Sequence, residues 1–511
     1  MNKITFLLSA TLAASVVAHA QTDTITLTQE LDEVTINAPV AQVTNNHTKL
    51  TNNELNQANT GQNLPFLLSH TPALVATSDD GLGVGYTYFR IRGTDHTRIN
   101  MTLNDVPLND SESQTVFWVN MTDMASSMSS LNVQRGVGTS TNGSASFGAS
   151  INMQTDPLYL SLRGGELPPS EGTRVGISFN GGMYNTFREM VNAHIVLPNQ
   201  WRANARFSKV NSDGFLYRTA SDLYSYYGDL GWYGERTQVV ARFFGGSEKT
   251  GMGWDGVDYN TAYGVNGADR RYNPAGEYTT TAANGSDSTA YYPNQTDNYA
   301  QQHAQLTLIH RLSTQWNISA TAHYTHGAGY YEQYKRKKLS YWGLLGNGLL
   351  GIGEDRKAYG MYRKHLDNHF FGGVLSAKYV SEAIDMQLGG AANYYLGDHF
   401  GTLNYLEDSL IVPINYEYYR NNAKKTDANI YAKTNWRIIH RAQEKLSLYA
   451  DLQYRYVRYE RNGMNDEDMT NWPLEVDFHF FNPKAGLTYQ NRGHLLSASF
   501  AIANREPSRN N

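Results

Sequence analysis

The stretch "KLSLYADLQYRY", residues 445–456, carries Leu446, Leu448, Ala450, Leu452, Tyr454 and Tyr456 at every second position, with Ser447, Asp451, Gln453 and Arg455 between them. Successive side chains of a strand point to opposite faces, so this period of two predicts a strand with one apolar and one polar face. "WRANARFS" (201–208) repeats the pattern, and "NISATAHY" (317–324) does so again. A soluble sandwich would bury the apolar faces in a core; a membrane barrel would turn them to lipid and keep the polar faces inward. A membrane-crossing strand needs about 9–11 residues, whereas soluble strands average about 5–6. The runs 172–184, 298–312, 314–327, 368–381, 426–440, 442–459 and 475–490 all meet the longer requirement. The expected fold is therefore mainly β, a transmembrane antiparallel barrel.

The connections point the same way. Tight ones fall at 184–186, 198–200, 233–235, 312–314, 381–383 and 491–493, and long polar ones at about 250–296, 328–367, 397–425 and 460–474. Short turns on one side and long loops on the other fit an outer-membrane barrel. Trp232, Tyr233, Tyr324, Tyr394, Tyr395, Trp436, Tyr456 and Tyr459 stand near strand ends, where interfacial aromatic girdles belong.

At the N-terminus, Lys3, the apolar run "ITFLLSATLAASVV" and Ala18-His19-Ala20 read as a secretory signal peptide over residues 1–20. The net charge of −5 argues against a nucleic-acid surface, and zero cysteines exclude a disulfide, a thiolate metal site and a Cys nucleophile. With 36 Tyr and 45 Gly and no apolar helix-length run after the leader, the exported chain reads as extended β-structure.

Residues 21–44 form a polar segment, 45–157 a small mixed α+β domain, and 158–511 the barrel. Within the small domain, 61–70 and 121–130 are expected as helices, and 87–93, 97–108 and 131–136 as strands. The segment "NVQRGVGTSTNGSASFGASINMQT" (132–155) begins like a phosphate-binding loop, but no Lys follows its glycines and no G-x-G-x-x-G is completed. Its glycines are expected to serve close packing, with Ile151, Asn152 and Met153 in the domain's last strand. His303 and His323 fall on polar strand faces, where lumen ligands are conceivable but solvated side chains are commoner; no cofactor, metal or catalytic residue is expected.

Taken in order, these motifs resemble the TonB-dependent outer-membrane receptors of Gram-negative bacteria. "LDEVTINA" (31–38) is similar to the family's energy-coupling box, "FRIRG" (89–93) to its plug signature, and "LNDVPLND" (103–110) to its plug hairpin. "VQRGVGTSTNGSASFGASINMQT" is similar to the motif that closes the plug, with Val137 and Gly138 where Pro-Ala is usual. The resemblance implies a 22-stranded barrel around a plug, against about 13 strands visible here, and hence the expectation that 511 residues are part of a longer product.

The resemblance also implies roles. Leu31, Asp32, Glu33, Val34, Thr35 and Ile36 would bind TonB by strand addition, powered by ExbB and ExbD in the inner membrane. Asp79, Asp80, Tyr86, Tyr88, Glu112, Phe117, Trp118, Trp254, Tyr330 and Tyr331 are the loose ligand-binding candidates, with wall packing an equal reading for Phe117 and Trp118. Arg90, Arg92 and Arg135 are expected to pair with barrel carboxylates and lock the plug, while Gly93, Gly136, Gly143 and Gly148 let it pack. The implied activity is active import of a scarce solute, a ferric siderophore or other iron complex before cobalamin, haem or an oligosaccharide, and not an enzymatic one. A non-transporting structural or adhesin barrel is the remote alternative.

Overall fold

The computed structural model describes residues 47–140, 143, 147–155, 172–281, 284–345, 355–408, 412–465, 469–471 and 473–509. The leader, the coupling box at 31–36 and the rest of 21–44 lie outside the described residues.

The plug is built from β1 (His47–Thr51), α1 (Asn52–Ala58), α2 (Leu64–Leu67), β2 (Leu74–Ser78), β3 (Thr87–Ile91), β4 (Thr94–Asp95), β5 (Ile99–Leu103), β6 (Val106–Pro107), β7 (Ser130–Arg135) and β8 (Ala149–Gln154). One sheet runs β1-β7-β8-β5-β6 and a second β2-β3-β4. Asn104 and Asp105 both take positive φ between β5 and β6, which closes the expected hairpin with a two-residue turn. Arg92 and Gly93 do the same between β3 and β4. Leu55, Phe89, Ile91, Ile99, Met101, Leu131, Val133 and Ile151 form the apolar core, each almost completely buried.

Two local expectations change here. Helix α1 was not anticipated, although Thr51 and Glu54 form a reciprocal capping box at its start. The helix expected over 121–130 is instead two 3-10 turns, Trp118–Met121 and Met124–Ser127, because Asp123 between them sits in the left-handed region at φ 56°.

The wall comprises β9 (Arg174–Gly182), β10 (Thr186–Val196), β11 (Trp201–Ser212), β12 (Ser221–Tyr233) and β13 (Thr237–Gly251). A long connection then carries α3 (Tyr259–Tyr263) and a separate hairpin, β14 (Glu277–Thr281) and β15 (Asp287–Tyr291). The wall resumes with β16 (Thr296–Arg311), β17 (Trp316–Lys338), β18 (Lys357–Val380), β19 (Ile384–Leu406), β20 (Tyr416–His440), β21 (Glu444–Gly463), β22 (Leu474–Phe481), β23 (Lys484–Asn491) and β24 (His494–Ala501). These pair as one antiparallel 14-stranded sheet. Strands β22 and β23 are halves of one strand, since both lie on β21 in a single register (Phe481 opposite Tyr454, Lys484 opposite Asp451). The gap falls at Asn482-Pro483, where proline has no N–H to give the ladder. Counted so, thirteen strands line up, as the alternation predicts.

The faces settle the choice of architecture. Leu308, Leu375, Ile430 and Leu452 are each about half exposed or more, while Arg206, Asp451, Gln453 and Arg455 are buried. Polar inside and apolar outside is the inverse of a soluble sandwich and is what a lipid-facing wall requires. No helix among the described residues is long and apolar enough to cross a membrane, which says nothing of a barrel.

The long strands shorten the expected loops. β17, β18, β19 and β20 run to 23, 24, 23 and 25 residues, and at roughly 3.3 Å per residue each far outreaches an apolar band about 25 Å tall. The connections expected at 328–367 and 397–425 thus contract to 339–356 and 407–415. The turn at 183–185 lies at the same end of the wall as these loops, so it is a short member of the long-loop end. Three girdle candidates also change: Tyr233 is buried on the inward face of β12, and Tyr395 and Tyr459 point inward and donate their hydroxyls to Glu112 of the plug.

Candidate functional site

The plug loop before β3 is organised from within. The Asp80 carboxylate accepts the backbone N–H groups of Leu82 and Gly83 at 2.9 Å, Val84 at 3.2 Å and Gly85 at 3.3 Å. Gly83 stands at φ +83°, and a Cβ there would fall 2.7 Å from the Phe66 ring. Asp80 is buried and its acceptor capacity is taken, so it shapes the loop and does not face a ligand.

The loop presents Tyr86 to the wall. Its hydroxyl donates to Asp297 at 2.5 Å and lies 3.3 Å from Glu248, a half-buried and a buried carboxylate on neighbouring strands β16 and β13. Its ring meets Phe117 edge-on at 6.2 Å and Trp254 at 5.9 Å, and Trp254 meets Tyr331 edge-on at 5.6 Å. Phe117 and Trp254 keep over a third of their surface exposed. Beside them Tyr88 donates to Asp79 at 3.1 Å. Burial, opposed by that hydrogen bond and helped by Asp80, raises the Asp79 carboxyl to about 6. The result is an aromatic patch over carboxylates where the plug meets the wall.

Four of the ten ligand candidates, Tyr86, Phe117, Trp254 and Tyr331, come together there, with Asp79 and Tyr88 adjacent. Trp118 separates from Phe117: it is buried against Phe89 at 6.4 Å and packs the plug. Tyr330 faces the other side of β17 from Tyr331, against His365 and under Arg363. Glu112 is an anchor, accepting from Tyr459 and His399 at 2.7 Å and Tyr395 at 2.9 Å, with Arg509 at 3.8 Å. Burial pushes its carboxyl up, but the His399 contact, Arg509 and Tyr459 outweigh it and hold the group at about 2.

The plug is tied to the wall through buried charge. Arg135 donates to Thr48 within the plug at 2.7 Å, and Arg90 is exposed. The acidic partner is on the plug: Asp123 receives Arg188 at 2.9 Å and Arg206 at 3.5 Å from β10 and β11. The glycine-rich segment is a second tie. Ser140 donates its N–H to Asp451 at 3.0 Å and its hydroxyl to the same carboxylate, while Lys484 reaches the Ser140 hydroxyl at 3.0 Å. Gln453 donates to the Gly143 carbonyl at 2.7 Å. Gly136 donates its N–H to the Gly148 carbonyl at 2.7 Å.

The histidines on the polar faces, expected to be solvated, are buried. His303 stacks on Phe244 at 4.6 Å and bonds Thr325, and His323 bonds Asn393.

A β-wall with polar lining, filled by an α+β plug tethered through Asp123, Glu112, Ser140 and Gly143, defines a plugged-barrel receptor. The TonB-dependent receptor plug domain description matches residues 39–150, and the TonB-dependent receptor-like β-barrel description matches 249–511, just over half the chain. The chain belongs to the TonB-dependent receptor family. No curated protein matches the sequence. Among solved structures, the copper transporter OprC is similar at 12% identity and TM-score 0.65, over 91% of this chain and 65% of its own. The ferric-catecholate import receptor Fiu from E. coli K12, in its open form, is similar at 12% identity and TM-score 0.61, over 90% of this chain and 70% of its own. The ferric citrate transporter FecA is similar at 13% identity and TM-score 0.60, over 87% and 60%. The chain thus spans about two thirds or less of the length of most of these structures.

Proposed function

We propose that this protein is the outer-membrane receptor and gate for energy-driven uptake of a scarce external solute, a ferric siderophore or other iron complex. The observation that carries the reading is the Tyr86, Phe117 and Trp254 patch at the end of the lumen that bears the long connections. Exposed rings there offer flat faces to a planar chelate, and the Tyr86–Asp297 hydrogen bond ties the plug loop under that patch to the wall. Binding that disturbs this bond loosens the plug apex. TonB then engages Leu31–Ile36 in the periplasm by strand addition, and the ExbB and ExbD complex supplies the energy.

The test is growth on a defined iron chelate as sole iron source, with binding to the full chain in detergent measured alongside. Ferric catecholate and ferric citrate are the probes, with cobalamin, haem and a copper salt as competitors. Saturable binding of an iron chelate, weakened about tenfold by Trp254→Ala and accompanied by growth that needs residues 31–36, is expected. Binding of a competitor alone overturns the iron reading, and growth unaffected by loss of 31–36 overturns energy coupling.

A further inference from the structure

On the outer face of the wall, away from the plug, three side chains converge. His326 of β17 and His369 of β18 are directly opposed in register, and their rings stack at 4.7 Å with 18° between planes. Asp367, two residues before His369 on the same face, stands opposite Ala328 and diagonally across from His326. His326 Nε2 lies 2.9 Å from Asp367 Oδ1, and His369 Nε2 lies 3.9 Å from the same oxygen. One ligand atom from each of the three falls within 4.8 Å of the others.

The face is fixed by the strand period. Tyr324 and Phe371, the pair next to His326 and His369, are both exposed, and Leu375 beyond them is exposed too. From Trp316, at the short-turn end, to His326 is about 33 Å of strand at roughly 3.3 Å per residue, which at a tilt of about 35–45° rises about 25 Å along the barrel axis. The lipid band is about 25 Å tall. His326 and His369 therefore sit at the outer edge of that band, on the side toward the 339–356 connection, where lipid headgroups meet the medium. All three groups keep between a third and a half of their side-chain surface exposed.

We propose that His326, Asp367 and His369 form a divalent-metal site on the outer surface of the wall, suited to a borderline ion such as Zn²⁺. Two imidazole nitrogens and one carboxylate oxygen are the donors such ions prefer. With metal–ligand bonds of about 2.0–2.1 Å, tetrahedral ligands stand about 3.3 Å apart. The two separations, 2.9 and 3.9 Å, bracket that value, and binding would tilt the two imidazoles out of their stack so that their in-plane lone pairs converge on the ion.

The surroundings supply what a ligating histidine needs. His369 Nδ1 lies 2.8 Å from the Tyr324 hydroxyl. If Nδ1–H donates to that oxygen, the Nε2 lone pair is left for the ion and the ring orientation is held. Arg363, further along the strip, is engaged by Glu332 at 2.6 Å, so its charge is answered locally. Three protein ligands leave the remaining coordination position to water or another oxygen. The site draws its ion from the external medium and is separated by the wall from the lumen patch, so its test is independent of cargo identity.

The experiment is Zn²⁺ titration of the full chain in detergent near neutral pH, with the visible spectrum of Co²⁺ as a second readout. His326→Ala and His369→Ala should each weaken the site about tenfold or more and abolish the Co²⁺ ligand-field bands. Asp367→Asn should weaken it less. The exposed His479, which bonds Tyr454, serves as the control, and His479→Ala should change nothing. If either alanine variant fails to insert, His326→Gln and His369→Gln give the same comparison with smaller loss of contact. Unchanged Zn²⁺ affinity in both histidine variants, or an equal loss in His479→Ala, overturns the proposal.

Discussion

Asp123 of the plug and Arg188 of the wall stand 2.9 Å apart with both side chains almost wholly buried, and Arg206 shares the same carboxylate at 3.5 Å. Ser208 and Asn59 add hydrogen bonds at 2.5 and 2.6 Å. Removing the carboxylate leaves two buried guanidiniums without their counter-charge. Asp123→Ala should therefore destabilise the plug–wall contact by about 3–5 kcal/mol. Urea unfolding of the full chain, followed by protease protection of the plug, measures it, and parental stability in this variant would refute the lock. Burial raises the Asp123 carboxyl, but Arg206 and Arg188 more than offset it and the group stays below its usual range. Its contribution is present above about pH 4 and is lost as the pH falls through the lowered value.

Glu112 makes the same argument with a number attached. Its carboxyl sits at about 2 in place of 4.5, because His399, Arg509 and Tyr459 outweigh burial. A depressed folded value contributes stability that is complete above about pH 4.5 and disappears toward pH 2, on the order of 3 kcal/mol in all. Glu112→Gln should lower stability at neutral pH and flatten that acid limb. Parallel acid limbs for parent and variant in a pH series of urea midpoints would exclude Glu112 as the titrating group.

Much of the wall was legible because strand period depends only on which face meets lipid, and that is written residue by residue in runs such as Leu446 to Tyr456. The strand ends were less so. Beyond the lipid band both faces of β17 to β20 meet polar surroundings, so Tyr330 to Lys338 loses the contrast that marks a strand. The hairpin at Asn104-Asp105 was legible through its likeness to the family motif, whereas the one at Arg92-Gly93 was not. The break at Asp123 was not, since its left-handed backbone accompanies contacts with Arg188 and Arg206, distant in sequence. The Asp123 tie was hidden for the same reason, because only the fold brings Arg188 and Arg206 to its carboxylate. Of the ligand candidates, alternation along β17 alone would have separated Tyr330 from Tyr331.

The glycine-rich segment yields a graded prediction. A Cβ on Gly148 would fall 2.7 Å from the Thr94 Cβ and 2.9 Å from its Cγ2, atoms fixed to a β-branched residue. A Cβ on Gly143 would meet only the Pro107 Cγ at 3.6 Å, so the penalty there is backbone strain at φ +80°. Gly148→Val should cost more than Gly143→Val, with overpacking alone worth about 1–3 kcal/mol. Plug protease protection in the two variants ranks them, and neither should alter nucleotide affinity. The reverse order would mean that the turn, and not the Thr94 contact, fixes the segment.

The last prediction concerns the link between ligand patch and plug. The Tyr86 hydroxyl donates to Asp297 and lies within reach of Glu248, while Thr250 donates to Glu248 at 2.7 Å. Glu248 is buried and Asp297 half-buried, so Tyr86→Phe withdraws a donor from two acceptors and should cost about 1–3 kcal/mol. Glu248→Gln replaces one of them with an amide that carries its own N–H donors, which relieves part of the penalty. The double variant should accordingly lose less than the sum of the singles, with a coupling of about 0.5–3 kcal/mol. Such coupling gives a ligand that rests on Trp254 and Phe117 a direct route to the plug, because displacing Tyr86 leaves the same carboxylates short of a donor. Strict additivity in urea unfolding of the four proteins would show that Tyr86 and Glu248 act separately, and the route from patch to plug would have to run elsewhere.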